Sequence, residues 1–166
     1  METPNLRVVG SIPTALVTYA YIVVKWKKIR GGMEMLNETD VIKLDYMHEL
    51  IESMEDGVIS SYEVLSNGVY EDHTKYQLAL SFLNLAETNY VNYLREIREI
   101  RAERDETYTF ETSYNEFKHE LHSYVLQKDT NPTWLSSRKD EFIKRSSILK
   151  EFISDVIKNY YNSKRT

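Results

Sequence analysis

Apolar residues recur at steps of three and four along nearly every long segment of this 166-residue chain. The clearest stripe consists of Tyr76, Ala79, Leu83, Ala86, Tyr90, Tyr93, Leu94, Ile97 and Ile100. This spacing places the side chains on one face of an α-helix, because the helix repeats every ~3.6 residues. No convincing pair of strand patterns accompanies it. The sequence therefore predicts an all-α bundle in which each amphipathic face is covered by a neighbouring helix.

Capping and turn residues divide the pattern into five substantial helices. The predicted helices cover about 11–30, 41–56 (following residues 37–40), 72–105, 113–128 and 134–161, with a short extra helical turn at 60–66. Asp56-Gly57 is expected to end the second helix. Residues 106–112 alternate between aromatic residues and threonine, which predicts an extended segment. Ser113 and Glu116 have the spacing of a capping box and predict the start of the fourth helix.

The segment 72–105 is predicted to be the longest helix and to lie at the centre of the bundle. Leu78, Phe82 and Leu85 widen its apolar stripe over the first half, so that this half should contact neighbours on two sides. Beyond Leu94 the stripe narrows among charged residues. This narrowing predicts a charged helix tip that is either solvated or paired with a partner helix.

The N-terminal segment is unusually apolar and ends in a basic cluster. Residues 8–24 form a run of 17 residues without charge. The cluster that follows contains Lys25, Trp26, Lys27, Lys28 and Arg30. Seventeen residues is the lower limit for crossing about 30 Å of hydrocarbon. A single membrane span is therefore one interpretation, with Trp26 and the cations at the interface and the C-terminal domain in the cytoplasm.

The favoured interpretation is a buried helix of a soluble assembly, covered either at the centre of its own bundle or by another protein. A polar stripe runs down one side of the segment at Thr14, Thr18, Tyr21, Lys25 and Lys28. A lipid-exposed helix does not need such a stripe. The predicted docking residues are Ile12, Leu16, Tyr19, Ala20 and Val23. Residues 1–32 are thus predicted to be a docking or membrane segment, and residues 33–166 a helical bundle domain.

Charge is distributed unevenly along the chain. The first thirty residues carry a net charge of +4, which leaves −9 for the remainder of a chain whose total is −5. The acidic remainder disfavours general nucleic-acid binding. The basic cluster is the predicted binding site for phosphate, an anionic lipid surface or an acidic patch on a partner. Nucleic-acid contact is expected only through this cluster. The structural alternative is a helix C-terminus with its usual cations.

The residue types needed for catalysis are sparse. The chain has no cysteine, no G-x-S-x-G and no phosphate-binding G-x-x-x-x-G-K-[ST] motif. Glu116 with His119, and Asp45 with His48, have the spacing found in di-iron bundles, and Glu87 is a further carboxylate on the long helix. The histidines that lie off the apolar stripes are expected to be exposed to solvent, and His48 alone is expected to be partly buried. No catalytic residue, metal ligand or cofactor is predicted.

These features predict a non-enzymatic helical subunit that works by assembly. Its expected form is a homo-oligomer, or a coat-like or scaffold component of a larger complex, including a viral one. Thirteen tyrosines against five phenylalanines fit such a role, because tyrosine suits interfaces. Helical coat proteins of filamentous viruses and the small helical subunits of RNA-guided effector complexes are similar in size and class. A cytoplasmic or virion-associated location is favoured. The alternatives are a single-span membrane protein and, from another class, a metal-binding bundle enzyme.

Overall fold

The computed structural model describes residues 36–68, 70–100, 104–127 and 131–164. These residues form four α-helices: α1 (Glu38–Ser66), α2 (Asp72–Glu99), α3 (Asp105–Gln127) and α4 (Thr133–Ser163). They contain no strand, so the all-α prediction is confirmed for this part of the chain. The predicted fifth helix, at the N-terminus, lies outside the described residues. The chain divides into Met1–Met35 and Leu36–Thr166, and every described residue belongs to the second unit.

Side-chain contacts between α1 and its two neighbours show that the helices run antiparallel. The start of α1 meets the end of α2 where Lys43 pairs with Glu99. Near the other end of α1, the Ser61 hydroxyl donates to the carbonyl oxygen of Ala79 at 3.0 Å. On the opposite side, Lys150 of α4 donates to Glu55 at 2.6 Å, and Lys139 near the start of α4 lies over the ring of Tyr62 near the end of α1. Helix α1 therefore packs against both α2 and α4 with reversed direction.

The remaining contacts close the bundle. Arg138 at the start of α4 donates to Glu116 in the second half of α3 at 2.8 Å. Lys118 of α3 donates to Glu87 of α2 at 2.7 Å. Connections of five residues join each helix to the next. The result is an up-and-down four-helix bundle, which is the arrangement that short connections favour.

The core lies along the axis shared by the four helices. Its largest fully buried side chains include Tyr93, Phe110, Tyr114, Phe117, Phe142, Leu44, Met47, Ile51 and Met54. Most of the predicted apolar stripe of α2 is buried, including Ala79, Leu83, Ala86, Ile97 and Ile100. The apolar periodicity therefore identified the inward faces of the helices correctly.

Aromatic rings fill the space between α2 and α3, whose backbones approach each other less closely than those of the other neighbouring pairs. The ring centroids of Tyr90 and Tyr114 lie 4.6 Å apart, and those of Tyr93 and Phe110 lie 5.1 Å apart. Phe142 of α4 joins them, at 5.4 Å from Phe110. Large rings can span a wide helix separation and still exclude water. Several of the tyrosines thus belong to the core and not to an interface.

Helix α1 continues through Asp56-Gly57, so the predicted end at this dipeptide is wrong, as is the separate short helix at 60–66. The reason is the close approach of α2. A Cβ atom at Gly57 would lie 2.9 Å from the Ala86 Cβ and 3.0 Å from the Phe82 carbonyl oxygen. Glycine is present here because it lets the two helices touch, and burial offsets its poor helix propensity.

Residues 106–112 are helical and belong to α3, so the predicted extended segment is wrong. Thr107 and Phe110 are buried, and they share a helix face with Tyr114. The Thr107 hydroxyl accepts from the backbone N–H of Arg104 at 2.7 Å, which caps the start of the helix. Ser113 consequently lies inside α3, where its hydroxyl donates to the Phe110 carbonyl oxygen at 2.7 Å. It is not a capping residue.

Helix α2 ends at Glu99 and is neither the longest nor a central helix of the described bundle. Its 28 residues compare with 31 in α4, and each helix packs against two neighbours. Ile97 and Ile100 are each 1% exposed, so the apolar side of this end packs into the bundle, and the prediction of a solvated helix tip is wrong for the part that is described. Leu85 was expected to contact a neighbour, yet it is 55% exposed.

Two buried tyrosine hydroxyls differ in their hydrogen bonding. Within the described part of the chain, the Tyr93 hydroxyl has no hydrogen-bond partner, although the side chain is fully buried. The Tyr114 hydroxyl donates to Glu87 Oε2 at 3.0 Å. Burial raises the pKa of both tyrosines above the usual value, and the negative charge of Glu87 adds to this for Tyr114. Both therefore stay protonated at neutral pH.

We expect Tyr93→Phe to raise the free energy of unfolding by about 1 kcal/mol, because it removes a buried hydroxyl that makes no hydrogen bond. Tyr114→Phe is the matched control and should lower it by about 1 kcal/mol, because a hydrogen bond is lost. Urea unfolding of both variants measures the difference. Equal destabilisation by the two changes would show that the Tyr93 hydroxyl is satisfied in solution.

Candidate functional site

The outer face of α1 carries a stripe of carboxylates. Six residues at steps of seven, four, three, four and seven occupy it, namely Glu38, Asp45, Glu49, Glu52, Asp56 and Glu63. These steps repeat the helical period, so the side chains share one side of α1. All six are exposed. We call this row the acidic stripe.

The acidic stripe is almost uncompensated. Helix α1 contains only one lysine and no arginine, and Lys43 is engaged with Glu99. Among the described residues, no lysine or arginine forms an ion pair with the six carboxylates, and only Lys164, near Glu38 at the start of the stripe, attracts one of them electrostatically. His48 lies 3.8 Å from Glu52, and it adds positive charge only when it is protonated. Like charges along one helix face repel each other, and a cationic partner would relieve that repulsion.

The other carboxylates of α1 have structural roles. Asp40 completes a capping box: its backbone N–H donates to Asn37 Oδ1 at 2.9 Å, and its side chain accepts from the Asn37 N–H at 3.1 Å. Glu55 faces α4, where it accepts from the Ser146 hydroxyl and from Lys150. The carboxylates of α1 therefore form two groups. Asp40 and Glu55 stabilise the bundle, whereas the six of the acidic stripe face outward.

A line of exposed apolar side chains lies beside the acidic stripe, on the seam between α1 and α2. Ile42 is 65% exposed, Tyr46 39% and Leu85 55%. Asn89 donates to the Ser53 hydroxyl across the seam at 2.8 Å, which fixes the register of the two helices. Tyr46 lies two turns from Ser53 on the same side of α1, and Leu85 lies one turn from Asn89. The apolar side chains therefore flank this hydrogen bond along a single line.

Half-buried residues extend the line towards the far end of α1. Val64 lies two turns beyond Gly57, and Leu78 and Phe82 continue the row of Leu85 on α2. The contact at Gly57 holds the two helices close together here. The apolar line and the acidic stripe together form an amphipathic surface, which we call the α1–α2 face. Its apolar members are Ile42, Tyr46, Leu85, Val64, Leu78 and Phe82.

The polar groups between α2 and α3 pair with one another. Glu87 accepts from both Tyr114 and Lys118, and the Asn115 amide donates to the Tyr90 hydroxyl at 3.2 Å. Glu87 was considered from sequence as a further metal ligand, but here it closes the bundle. The arrangement is a set of satisfied hydrogen bonds at the edge of the aromatic core, which fits a structural role.

The histidine–carboxylate pairs do not converge. Asp45 points outward on the acidic stripe, and Glu116 is paired with Arg138 between α3 and α4. His73, His119 and His122 are exposed, whereas His48 is half-buried, so the prediction that His48 is the partly buried histidine is confirmed. In the described ranges, no group of three or more His, Asp or Glu side chains is placed to hold a metal ion.

An open depression of about 880 Å³ lies along the outer side of α4. Its lining includes Glu116, Arg138, Asp140, Glu141 and Lys144. Each of its three carboxylates is ion-paired, Glu116 with Arg138, Asp140 with Lys139 and Glu141 with Arg145. Unlike the α1–α2 face, this surface has neither a row of carboxylates outside ion pairs nor exposed apolar side chains that would favour one kind of partner.

The predicted site residues lie outside the described residues. These are the basic cluster of Lys25, Trp26, Lys27, Lys28 and Arg30 and the docking set of Ile12, Leu16, Tyr19, Ala20 and Val23. The structure therefore does not test them. Sequence reasoning missed the acidic stripe, although its helical spacing was visible in the sequence. The apolar line could not be found in this way, because it depends on how α1 pairs with α2.

No family model, curated protein or solved structure matches this chain. None of the four described helices is long and apolar enough to cross a bilayer. The inference of function therefore starts from the surface of the bundle and from the N-terminal sequence.

Proposed function

We propose that this protein is a non-enzymatic helical subunit of a larger assembly, coat-like or scaffold-like, and that it docks through its apolar N-terminal segment. The observation that carries the proposal is the α1–α2 face, an exposed amphipathic surface with an uncompensated acidic stripe. Exposed apolar groups beside unpaired charge are typical of a surface that binds a partner. The N-terminal segment has the opposite charge and an apolar stretch of its own.

The polar groups of the bundle support a structural role. Glu55, Glu87 and Glu116 are each engaged by a cation from a neighbouring helix. General acid–base chemistry needs a titratable group within reach of a bound substrate, and these carboxylates are committed to ion pairs instead. The residues proposed to act are therefore those that make contacts with other proteins.

We expect the purified full-length chain to associate reversibly with itself as its concentration rises. Leu16→Glu combined with Val23→Glu should weaken that association about a hundredfold, because each change places a charge where an apolar side chain docks. Sedimentation equilibrium of the wild type and the double variant measures the effect.

Leu126→Glu on α3 is the matched control. Leu126 is 80% exposed and lies outside the α1–α2 face, so a charge there should leave association unchanged. A wild-type chain that stays monomeric at high concentration contradicts the proposal of self-assembly. So does an association that the double variant retains.

A second candidate is a single-span membrane protein with a cytoplasmic helical domain. The charge-free run of 17 residues at 8–24, followed by cations, favours it. Fractionation of the full-length chain distinguishes the two candidates. Recovery in the soluble fraction without detergent supports assembly, whereas extraction only by detergent supports the membrane span.

A further inference from the structure

We propose that the α1–α2 face of one copy is the acceptor for residues 12–30 of a second copy. This inference rests on the proposed assembly function and identifies the surface that receives the docking segment. The resulting contact is heterologous, because a segment of one copy meets a different surface of the next. Repetition of such a contact generates rings or open filaments.

Charge complementarity is the first argument. Residues 12–30 contain four cations, Lys25, Lys27, Lys28 and Arg30, and no carboxylate. The acidic stripe presents six exposed carboxylates, none of which forms an ion pair with lysine or arginine in the described part of the chain. Opposite charges at an interface fix orientation and speed association. The cations of residues 12–30 can therefore compensate the negative charge of the acidic stripe.

Apolar matching is the second argument. Ile42, Tyr46 and Leu85 expose their side chains in one line beside the acidic stripe. The docking side of the N-terminal segment presents Ile12, Leu16 and Val23 at helical spacing. An amphipathic helix that lies along a partly apolar groove is a common mode of recognition, with anchors every three or four residues.

The length of residues 12–30 is also compatible with the length of the acidic stripe. As an α-helix, residues 12–30 would extend about 28 Å, since each residue adds ~1.5 Å. The acidic stripe from Glu38 to Glu63 extends about 37 Å on the same basis. The segment therefore fits along the face with room for its basic end to meet several carboxylates.

The other exposed surfaces fit the segment less well. The carboxylates of the depression beside α4 are each ion-paired with a lysine or arginine, so they offer no uncompensated row to a basic segment. The exposed side of α3 carries Tyr108, His119, His122 and Leu126 but no row of carboxylates. Only the α1–α2 face, among the described surfaces, combines a row of uncompensated carboxylates with a line of apolar side chains.

Reciprocal charge reversal tests the proposal. We expect Glu49→Lys/Asp56→Lys, in the full-length chain, to weaken self-association about tenfold, because attraction becomes repulsion. Lys27→Glu/Lys28→Glu should weaken it to a similar extent. Sedimentation equilibrium measures both variants, and far-UV circular dichroism verifies that each remains helical.

Mixing the two variants distinguishes a contact between copies from one within a copy. In the mixture, the acidic segment of the Lys27→Glu/Lys28→Glu variant can bind the basic face of the Glu49→Lys/Asp56→Lys variant. The unaltered basic segment of the second variant can likewise bind the unaltered acidic face of the first. Association should therefore recover to within about threefold of the wild type. If mixing restores nothing, the segment does not dock on the face of another copy, and the proposal is overturned.

Glu151→Lys/Asp155→Lys provides a control of equal charge change. Both residues are exposed on α4, away from the α1–α2 face. This variant should associate like the wild type, and an equal loss would mean that net charge alone is responsible. A wild type that does not associate refutes the assembly function itself. A wild type that associates regardless of the α1–α2 charges refutes only the acceptor surface.

Discussion

Phe142→Ala is expected to lower the free energy of unfolding by about 4 kcal/mol, which is the largest effect of any substitution considered. Phe142 is fully buried on α4. Its ring centroid lies 5.4 Å from that of Phe110 and 5.7 Å from that of Tyr114, both on α3. Truncation leaves a cavity where rings from three helices meet, and rigid neighbours close such a cavity only partly.

Urea unfolding followed by circular dichroism measures this loss. Trp134→Ala is the control on the same helix, because Trp134 is 65% exposed. Its effect should stay within about 0.5 kcal/mol. Comparable losses for the two variants would contradict the placement of Phe142 at the centre of the aromatic core.

Gly57→Val should cost about 3 kcal/mol of stability. Any Cβ atom at this position lies 2.9 Å from the Ala86 Cβ, and valine adds further atoms in the same place. Ordinarily, replacing a glycine inside a helix gains up to about 1 kcal/mol of helix propensity. Here the steric clash exceeds that gain, because α1 and α2 must move apart along their length.

Gly68→Ala is the matched control, since nothing lies within 4 Å of a Cβ atom built at Gly68. The midpoint temperature of thermal unfolding should therefore be clearly lower for Gly57→Val than for Gly68→Ala. If Gly57→Val raised the midpoint temperature, α1 and α2 would not be in contact at this position in solution. The test also bears on the α1–α2 face, because the same contact holds its apolar line together.

The stretches that sequence reasoning predicted well are those with a strong local signal. A helix was expected to follow residues 37–40, and α1 begins at Glu38, where Asn37 and Asp40 form a capping box. The stripe from Ala79 to Ile100 was expected to be buried, and most of it is. Both signals depend on neighbours within one or two turns of the same helix, so they can be read without knowledge of the fold.

The errors arose where a distant helix decided the outcome. Gly57 was interpreted as a helix end, but contact with Ala86 and Phe82 of α2 keeps it helical. The alternation at 106–112 was interpreted as extended, but burial of Thr107 and Phe110 against other helices makes it the first two turns of α3. In both cases tertiary packing overrode a local preference worth about 1 kcal/mol or less.

In the candidate site, too, some features follow from the sequence of one helix and others depend on how two helices pack. The carboxylates of the acidic stripe could have been grouped from their spacing alone, because one helix displays them all. The apolar line needs two helices, and the packing of α1 against α2, which includes the Ser53–Asn89 hydrogen bond, determines which of their residues adjoin. The basic cluster from Lys25 to Arg30 stays a prediction from sequence.

The amino-acid sequence by itself determined that the described chain is helical, which residues turn inward and where the charge is concentrated, because these properties repeat with the period of a single helix. The tertiary structure alone decided that α1 runs unbroken past Gly57, that rings from α2, α3 and α4 form one aromatic cluster, and that Tyr46 and Leu85 lie along one seam. Those features depend on distances between helices, which close packing sets and no local pattern encodes.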